Sequence, residues 1–206
     1  MAVADMRCSL RAKESGVPFV FGERSESNVL FPLARVNRLV FPYTPTVQSG
    51  NTAEYDEYSY TQSAYKYPSY VKSYPKEILI SGDFTAQTIP EAKYVLAVMH
   101  FFKSITKPYF GSSNQRAGTP PAILLLNYLG RLQFNDVPVI VKDYSFILEP
   151  NVDYVYVEDF DSYVPAKLNI SITLETYYNP RALRDNFDLD KFREGKMFGN
   201  SNRGYI

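Results

Sequence analysis

Few side chains in this sequence could carry out nucleophilic or acid–base chemistry, and their spacing matches no common catalytic motif. His100 is the sole histidine and Cys8 the sole cysteine. Nothing in the sequence indicates that they form a nucleophilic cysteine–histidine pair, and a single cysteine excludes a multi-cysteine metal site. A Ser-His-Asp triad would use His100, but no G-x-S-x-G elbow marks its serine. Gly111 and Gly118 are not followed by the Gly-Lys-Ser/Thr sequence that cradles phosphates. We therefore predict no catalytic residue, no metal site and no cofactor.

Carboxylates are more numerous, and several of them cluster within residues 150–166. The cluster consists of Asp153, Glu158, Asp159 and Asp161. A metal site would need tighter spacing and further ligands, so we predict a solvated loop here. A glycosidase that uses paired carboxylates stays open as an alternative, because only the distance between two carboxyl groups in space could exclude it.

The overall charge argues against a chain that grips nucleic acid or an anionic membrane. Lysine plus arginine and aspartate plus glutamate number 22 each, whereas nucleic-acid-binding proteins usually carry a basic excess. No window approaches the roughly 20 apolar residues of a membrane span, and no signal peptide is recognisable. The single cysteine fits a chain that matures in a reducing cytoplasm. The chain has 18 tyrosines and 14 phenylalanines but no tryptophan, and such rings suit protein contacts.

The strongest signal for secondary structure lies at Lys167–Tyr178. Apolar Leu, Ile, Ile and Leu alternate there with polar Asn169, Ser171, Thr173 and Glu175. An alternation of period two with β-branched residues predicts a half-buried strand. Asn179-Pro180 ends it, because proline cannot donate to a sheet ladder.

One long helix is predicted at about 88–107, beside a mainly antiparallel sheet. Thr88 and Glu91 form a capping box, and an apolar stripe from Val95 to Ile105 follows at spacings of three and four. His100 falls inside this helix, where we expect a structural side chain. Further strands are predicted at 34–43, 76–86, 122–129 and 137–148, with a bulge at Gly82. We divide the chain into an N-terminal arm (1–33), a β domain (34–179) and a C-terminal arm (180–206).

A tyrosine-rich tract at 54–74 has too few aliphatic residues to build a core. Its tyrosines are Tyr55, Tyr58, Tyr60, Tyr65, Tyr67, Tyr70 and Tyr74. We interpret the tract as a long hairpin or loop that docks on a neighbouring subunit, with a disordered loop as the alternative.

Several segments together resemble one family of phage proteins. These segments are VFPYTPTV (40–47), DFTAQTIPEA (83–92), MHFFKSITKPYFG (99–111), GTPPAILLLNYLG (118–130), FNDVPVIV (134–141) and ISITLETYYNPRALRDNF (170–187). In this order and spacing they are similar to the baseplate tail-tube junction proteins, or tail-tube initiators, of contractile-tailed bacteriophages. The resemblance covers residues from about 39 to 193. The chain is shorter than those proteins, which leaves open whether it is the hub-proximal or the tube-proximal ring.

The resemblance implies a tail-tube-like sandwich or barrel of two packed antiparallel β-sheets with one flanking helix. It also implies a homo-hexameric ring in the virion baseplate, assembled in the host cytoplasm. Such a ring joins baseplate hub proteins to a second tail-tube junction protein and the tail tube protein, and initiates tube polymerisation. DNA passes through its lumen without specific binding.

Two groups of site residues accompany this expectation. Candidate lumen-facing residues are Asn169, Ser171, Thr173 and Glu175, and arginines placed there should slow DNA ejection. Candidate inter-subunit contacts are the seven tyrosines of 54–74 together with Arg181 and Arg184. The competing hypothesis is a carbohydrate- or peptidoglycan-binding module that uses surface tyrosines as stacking platforms.

Overall fold

A seven-stranded antiparallel sheet forms the body of the protein. The computed structural model describes residues 6–12, 20–110, 117–197 and 204–206. Its strands are β1 (Ser9–Ala12), β2 (Arg38–Val40), β3 (Thr46–Gln48), β4 (Asn51–Tyr58), β5 (Tyr67–Pro75), β6 (Ile78–Thr85), β7 (Leu124–Tyr128), β8 (Phe134–Ile147), β9 (Tyr154–Val157), β10 (Ser162–Pro165) and β11 (Lys167–Thr176). The large sheet has the order β2-β1-β7-β8-β11-β6-β3, and β4-β5 and β9-β10 form two hairpins.

The prediction of a mainly β fold with one long flanking helix is confirmed. The helices are α1 (Phe31–Val36), α2 (Ile89–Ile105), α3 (Pro180–Asn186) and α4 (Leu189–Arg193), with a 3-10 turn at Glu158–Phe160. The strands divide into one large sheet and two hairpins, whereas the resemblance implies two packed sheets. Helix α2 contacts both β6 and the hairpin β9-β10, so a helix backed by a hairpin lies over the apolar face of the sheet.

Strand β11 lies near the middle of the sheet, between β6 and β8. Its four apolar side chains are at most 1% exposed, and its polar side chains lie on the opposite face. The predicted strand at 167–178 is therefore present and ends at Thr176. Alternation specifies the register here, because a slip of one residue would turn every apolar side chain to the polar face.

Helix α2 begins where the sequence predicts it. The Glu91 carboxylate accepts hydrogen bonds from the backbone N–H groups of Gln87 (2.9 Å) and Thr88 (3.3 Å), which satisfies donors that a helix start leaves unpaired. Phe101 and Phe102 are completely buried. Burial of such a ring contributes about 1.5–3 kcal/mol. The helix is therefore held in place by its apolar face.

In the N-terminal arm predicted for 1–33, residues 6–12 and 20–33 are described and contribute to the core, and the other positions lie outside the described residues. Strand β1 lies inside the large sheet between β2 and β7. Leu10, Phe21 and Leu33 are completely buried, and the Phe21 ring stacks on Phe101 with centroids 5.4 Å apart. The four residues of β1 are too short a segment to show a clear alternation. Only the pairing with distant β7 reveals this strand.

Other segments also differ from the sequence-based predictions. Residues 31–36 form helix α1, where the predicted strand at 34–43 is reduced to β2. Residues 150–166, predicted as a solvated loop, do keep all four acidic side chains exposed, but they form the hairpin β9-β10, whose Val157 and Val164 are completely buried. Their burial against α2 overrides the local acidic composition.

Within the C-terminal arm predicted for 180–206, Met197 and residues 204–206 pack onto the domain, and residues 198–203 lie outside the described part of the chain. Met197 and Tyr205 are 2% and 8% exposed. The Gly204 N–H donates to the Asn135 carbonyl at 2.8 Å, and the Tyr205 ring stacks on Tyr178 with centroids 5.5 Å apart. Residues 204–206 are thus packed onto the start of β8.

Gly82 is required by close packing, and the bulge predicted there is absent. The pairing of β6 with β11 is regular through Gly82. A Cβ atom at this position would lie 2.7 Å from Cδ1 of Phe41, a completely buried ring. The glycine therefore makes room for Phe41 on the apolar face of the sheet.

We expect Gly82→Ala to lower the free energy of unfolding by about 1–3 kcal/mol, because the buried ring must shift. Urea denaturation would measure the change. In a Phe41→Leu background the same substitution should cost less, since the smaller side chain relieves the clash. Equal costs in both backgrounds would contradict this account.

Candidate assembly surfaces

The polar face of the large sheet carries all four candidate lumen-facing residues. Asn169, Ser171 and Thr173 are half-buried and Glu175 is exposed. Ser171 lies in register with Ser81 of β6 and Ser145 of β8, so three small hydroxyl side chains cross three adjacent strands. These side chains are short, but the exposed aliphatic side chains of Leu79 and Ile147 lie on the same face, in register with Thr173 and Asn169.

Hydrogen bonds and acidic charge extend across this face. The Asn169 amide donates to Asp83 at 2.7 Å and accepts from Ser81 at 3.2 Å. Lys167 pairs with Glu149 at 2.9 Å, and Lys142 pairs with Glu77 and Glu175. On β6, β8 and β11 and within two residues of their ends, acidic side chains outnumber basic ones six to three: Glu77, Asp83, Asp136, Asp143, Glu149 and Glu175 against Lys76, Lys142 and Lys167.

The tyrosine tract forms the hairpin β4-β5, which we call the tyrosine hairpin (Asn51–Pro75). Every residue from Ala53 to Tyr74 is exposed, and its seven tyrosines are between 46 and 75% exposed. Tyr55 packs edge-on against Tyr70, with ring centroids 5.7 Å apart, and Tyr60 packs against Tyr67 at 5.8 Å. The hairpin thus presents paired rings to its surroundings and adds none of them to the core.

The internal interactions of the tyrosine hairpin are weak. Two exposed ion pairs join its strands, Glu54 to Lys72 at 3.2 Å and Glu57 to Lys66 at 2.6 Å. Exposed pairs of this kind contribute about 0–1 kcal/mol each. A two-stranded hairpin with no packed face is marginally stable in water. A docking partner would supply the burial that this hairpin lacks.

A second group of exposed aromatic residues was missed in the sequence. Tyr154, Tyr156 and Tyr163 lie on the outer face of the hairpin β9-β10, while the valines between them face α2. Tyr156 and Tyr163 are cross-strand partners with ring centroids 4.9 Å apart. Alternation of tyrosine and valine at 154–157 is the signal that could have found this strand.

The β2 edge of the large sheet is capped by a tyrosine side chain. At the β2 edge, the Tyr94 hydroxyl accepts a hydrogen bond from the Val40 N–H (2.8 Å) and donates one to the Val40 carbonyl (2.7 Å). One side chain therefore occupies both backbone groups of Val40 that another strand would use. Burial raises the pKa of Tyr94 to about 12, while nearby Arg7 and Arg38 act in the opposite sense.

We expect Tyr94→Phe to lower the free energy of unfolding by about 1–3 kcal/mol, because both Val40 groups lose their partner. A raised pKa in the folded state means that the contribution of the phenol is complete below pH 10 and is lost as pH rises through about 12. The free energy of unfolding of the variant should therefore fall less between pH 10 and 12 than that of the wild type. Denaturation at several pH values would measure the difference, and parallel curves would contradict it.

The chain matches no protein-family model, and no curated protein matches it.

Arg181 and Arg184 lie on helix α3 and are both strongly exposed. Each pairs with Asp185, Arg184 at 3.1 Å and Arg181 at 3.8 Å. These pairs are exposed to solvent and contribute little to stability, so both guanidinium groups remain accessible for a contact with a partner. No contact joins either arginine to the tyrosine hairpin among the interactions between described residues.

His100 is exposed on α2, not in the core as we expected for a structural side chain. Within residues 6–12, 20–110, 117–197 and 204–206, no group of three metal-ligating side chains could hold a metal ion. In the same part of the chain, no helix combines the length and apolar character needed to cross a bilayer.

Proposed function

We propose that this chain is a structural subunit of a contractile phage tail. In this proposal six copies form a ring in the baseplate, between the central hub and the tail tube, and the ring initiates tube polymerisation. The observation that carries the proposal is the tyrosine hairpin, a long and fully exposed element whose aromatic side chains have no core to join. Aromatic rings are enriched at protein interfaces, where they bury large areas.

The polar face of the sheet supports the channel-lining part of the proposal. Short hydroxyl and amide side chains occupy its middle beside the exposed Leu79 and Ile147, and acidic groups outnumber basic ones on β6, β8 and β11. Such a face repels phosphates. It also offers few lysine or arginine side chains that could neutralise phosphates and release their counterions. If each of the six copies contributes four strands of its sheet, about 24 strands at ~4.8 Å spacing would give a closed barrel at least ~37 Å across. A DNA duplex can pass through a channel of this kind without being held.

Co-assembly tests the proposal directly. The purified chain, alone and mixed with hub and tube proteins of the same tail, would be imaged by electron microscopy. We expect six-fold rings that seed tubes of uniform width. A chain that stays monomeric in every mixture would contradict the proposed function.

The lumen assignment makes a separate prediction. We expect Ser171→Arg to slow DNA ejection from assembled particles, because a ring of added guanidinium groups would attract the phosphates. Ser25→Arg, which adds the same charge at an exposed position outside the sheet, should leave ejection unchanged. Equal ejection rates for both variants would count against Ser171 lining the channel.

A second candidate function rests on the outer tyrosines of β9-β10. Tyr156 and Tyr163 form an exposed aromatic pair, and such rings can stack on sugar faces. A carbohydrate- or peptidoglycan-binding module is therefore the alternative proposal. Sedimentation of the chain with purified peptidoglycan tests it, and loss of binding on Tyr163→Ala would support it.

A further inference from the structure

We propose that a cleft between α1 and α2 receives the tyrosine hairpin of a second copy of this chain. The inference rests on the proposed ring and names the contact that would join neighbouring subunits. We call this cleft the arginine cleft. Its volume is about 660 Å³, within the range of about 300–1,000 Å³ that is usual for clefts binding small molecules, so it would receive side chains of the hairpin and not the whole element.

Apolar side chains form part of the cleft wall. They come from α1, the segment after β2, the start of α2 and the 3-10 turn, and are Phe31, Pro32, Val36, Pro42, Pro90 and Phe160. Val36 is 48% exposed, although it lies on the short helix that otherwise contributes to the core. Proline and phenylalanine side chains offer flat apolar surfaces on which tyrosine rings can pack.

Basic side chains surround this apolar wall. Arg7, Arg35, Arg38 and Lys93 line the cleft, against the acidic Glu26 and Asp159. Lys93 pairs with Asp159, so the guanidinium groups supply the net positive charge. Arg35 is exposed and makes no ion pair or side-chain hydrogen bond with any residue that the structure describes. Guanidinium groups bind carboxylates and also stack on aromatic rings.

The tyrosine hairpin carries the complementary chemistry. Its strands bear Glu54, Asp56 and Glu57 among the exposed tyrosines. The two glutamates pair with lysines of the same hairpin, whereas Asp56 has no ion pair or side-chain hydrogen bond within the described part of the chain. The cleft therefore presents an exposed Arg35 and the hairpin an exposed Asp56, neither of which has an ion pair to another described residue.

The capped sheet edge defines how the hairpin would be held. Tyr94 and Val40 line the arginine cleft, and the Tyr94 hydroxyl occupies both outward backbone groups of Val40. The incoming hairpin therefore docks through side chains and does not add a strand to β2. Strands of eight or nine residues extend for about 26–30 Å, which is long enough to cross to a neighbour.

The contact is heterologous, because the hairpin and the cleft are different surfaces of one chain. Repetition of such a contact closes into a ring when the rotation between copies permits it. The arginine cleft thus gives the tyrosine hairpin a specific acceptor in the next subunit.

Charge reversal tests the inference. Arg35→Glu changes only the cleft and Asp56→Arg changes only the hairpin. Each single variant should therefore raise the Kd of self-association at least about tenfold. The double variant should regain it, because the opposite charges meet again with their signs exchanged. An equimolar mixture of the two single variants should also associate. Arg24→Glu, at an exposed arginine outside the cleft, is the matched control.

A cross-link provides a second readout. Cys8 is 1% exposed, so Arg35→Cys and Asp56→Cys place the only accessible thiols on the two surfaces. Mixed under oxidising conditions, these variants should form a disulfide-linked dimer far faster than either variant alone. Analytical ultracentrifugation and non-reducing gels measure the two outcomes.

Failure of this inference can be told apart from failure of the proposed function. Suppose that the wild type forms rings, that the charge-reversal variants form them equally well and that the cysteine variants do not cross-link. The arginine cleft is then not the acceptor, but the proposed ring stands. If the wild type forms rings only with hub proteins, the same variants are compared in that mixture. Absence of any ring from the wild type overturns both.

Discussion

Deletion of residues 54–74 is expected to abolish assembly while the domain stays folded. All of these residues are exposed, so the core loses nothing. The deletion joins Ala53 to Pro75 and leaves Thr52-Ala53 as a two-residue connection between Asn51 and Pro75, which are cross-strand partners. Thr52→Asn and Ala53→Gly would suit this connection to a tight hairpin turn.

Two measurements check the deletion. The free energy of unfolding should change by no more than about 1 kcal/mol, in line with surface changes away from the core, and ring formation should be lost. A Tyr154→Ser/Tyr163→Ser variant removes exposed tyrosines elsewhere and should still assemble. A deleted chain that no longer unfolds cooperatively would show that the hairpin belongs to the fold.

Gly204→Ala is expected to lower the free energy of unfolding by about 2–4 kcal/mol. A Cβ atom at this position would lie 2.2 Å from the Asn135 carbonyl oxygen, and a backbone atom cannot move aside as a flexible side chain can. Residues 204–206 would have to leave their site, with loss of the Gly204–Asn135 hydrogen bond and of the burial of Tyr205.

Urea denaturation of the variant measures this effect. Gly50→Ala is the matched control, since the nearest atom to its added Cβ would be 4.0 Å away on the Lys76 side chain. The control should change stability by no more than about 0.5 kcal/mol. A Gly204→Ala variant as stable as the control would mean that this segment does not hold the domain together.

Patterns of short range were readable from the sequence. Alternation in β11, the capping box of α2 and the apolar stripe of that helix each depend on neighbouring residues alone. The tyrosine hairpin was readable for the same reason, because a tract without aliphatic side chains cannot form a core. The side chains proposed to line a channel follow directly from the alternation in β11.

Pairing between distant segments was not readable. β1 joins the sheet because it pairs with β2 and with β7, and β7 lies more than 100 residues away. Gly82 was assigned a bulge, but the position requires glycine because the ring of Phe41 packs over it. That ring is distant in the sequence. The arginine cleft likewise collects residues 7, 35, 38 and 93, which no local pattern connects.

The sequence by itself determined that β11 is a strand and α2 a helix, each with one apolar face, and that one tract must remain outside the core. These properties depend on periodicity and composition, which are local. Only the tertiary structure decided that the predicted arms belong to the domain, that one sheet edge is capped by Tyr94 and that basic side chains converge on one cleft. Those features arise from contacts between residues far apart in the chain, and their energies depend on burial that no single segment encodes.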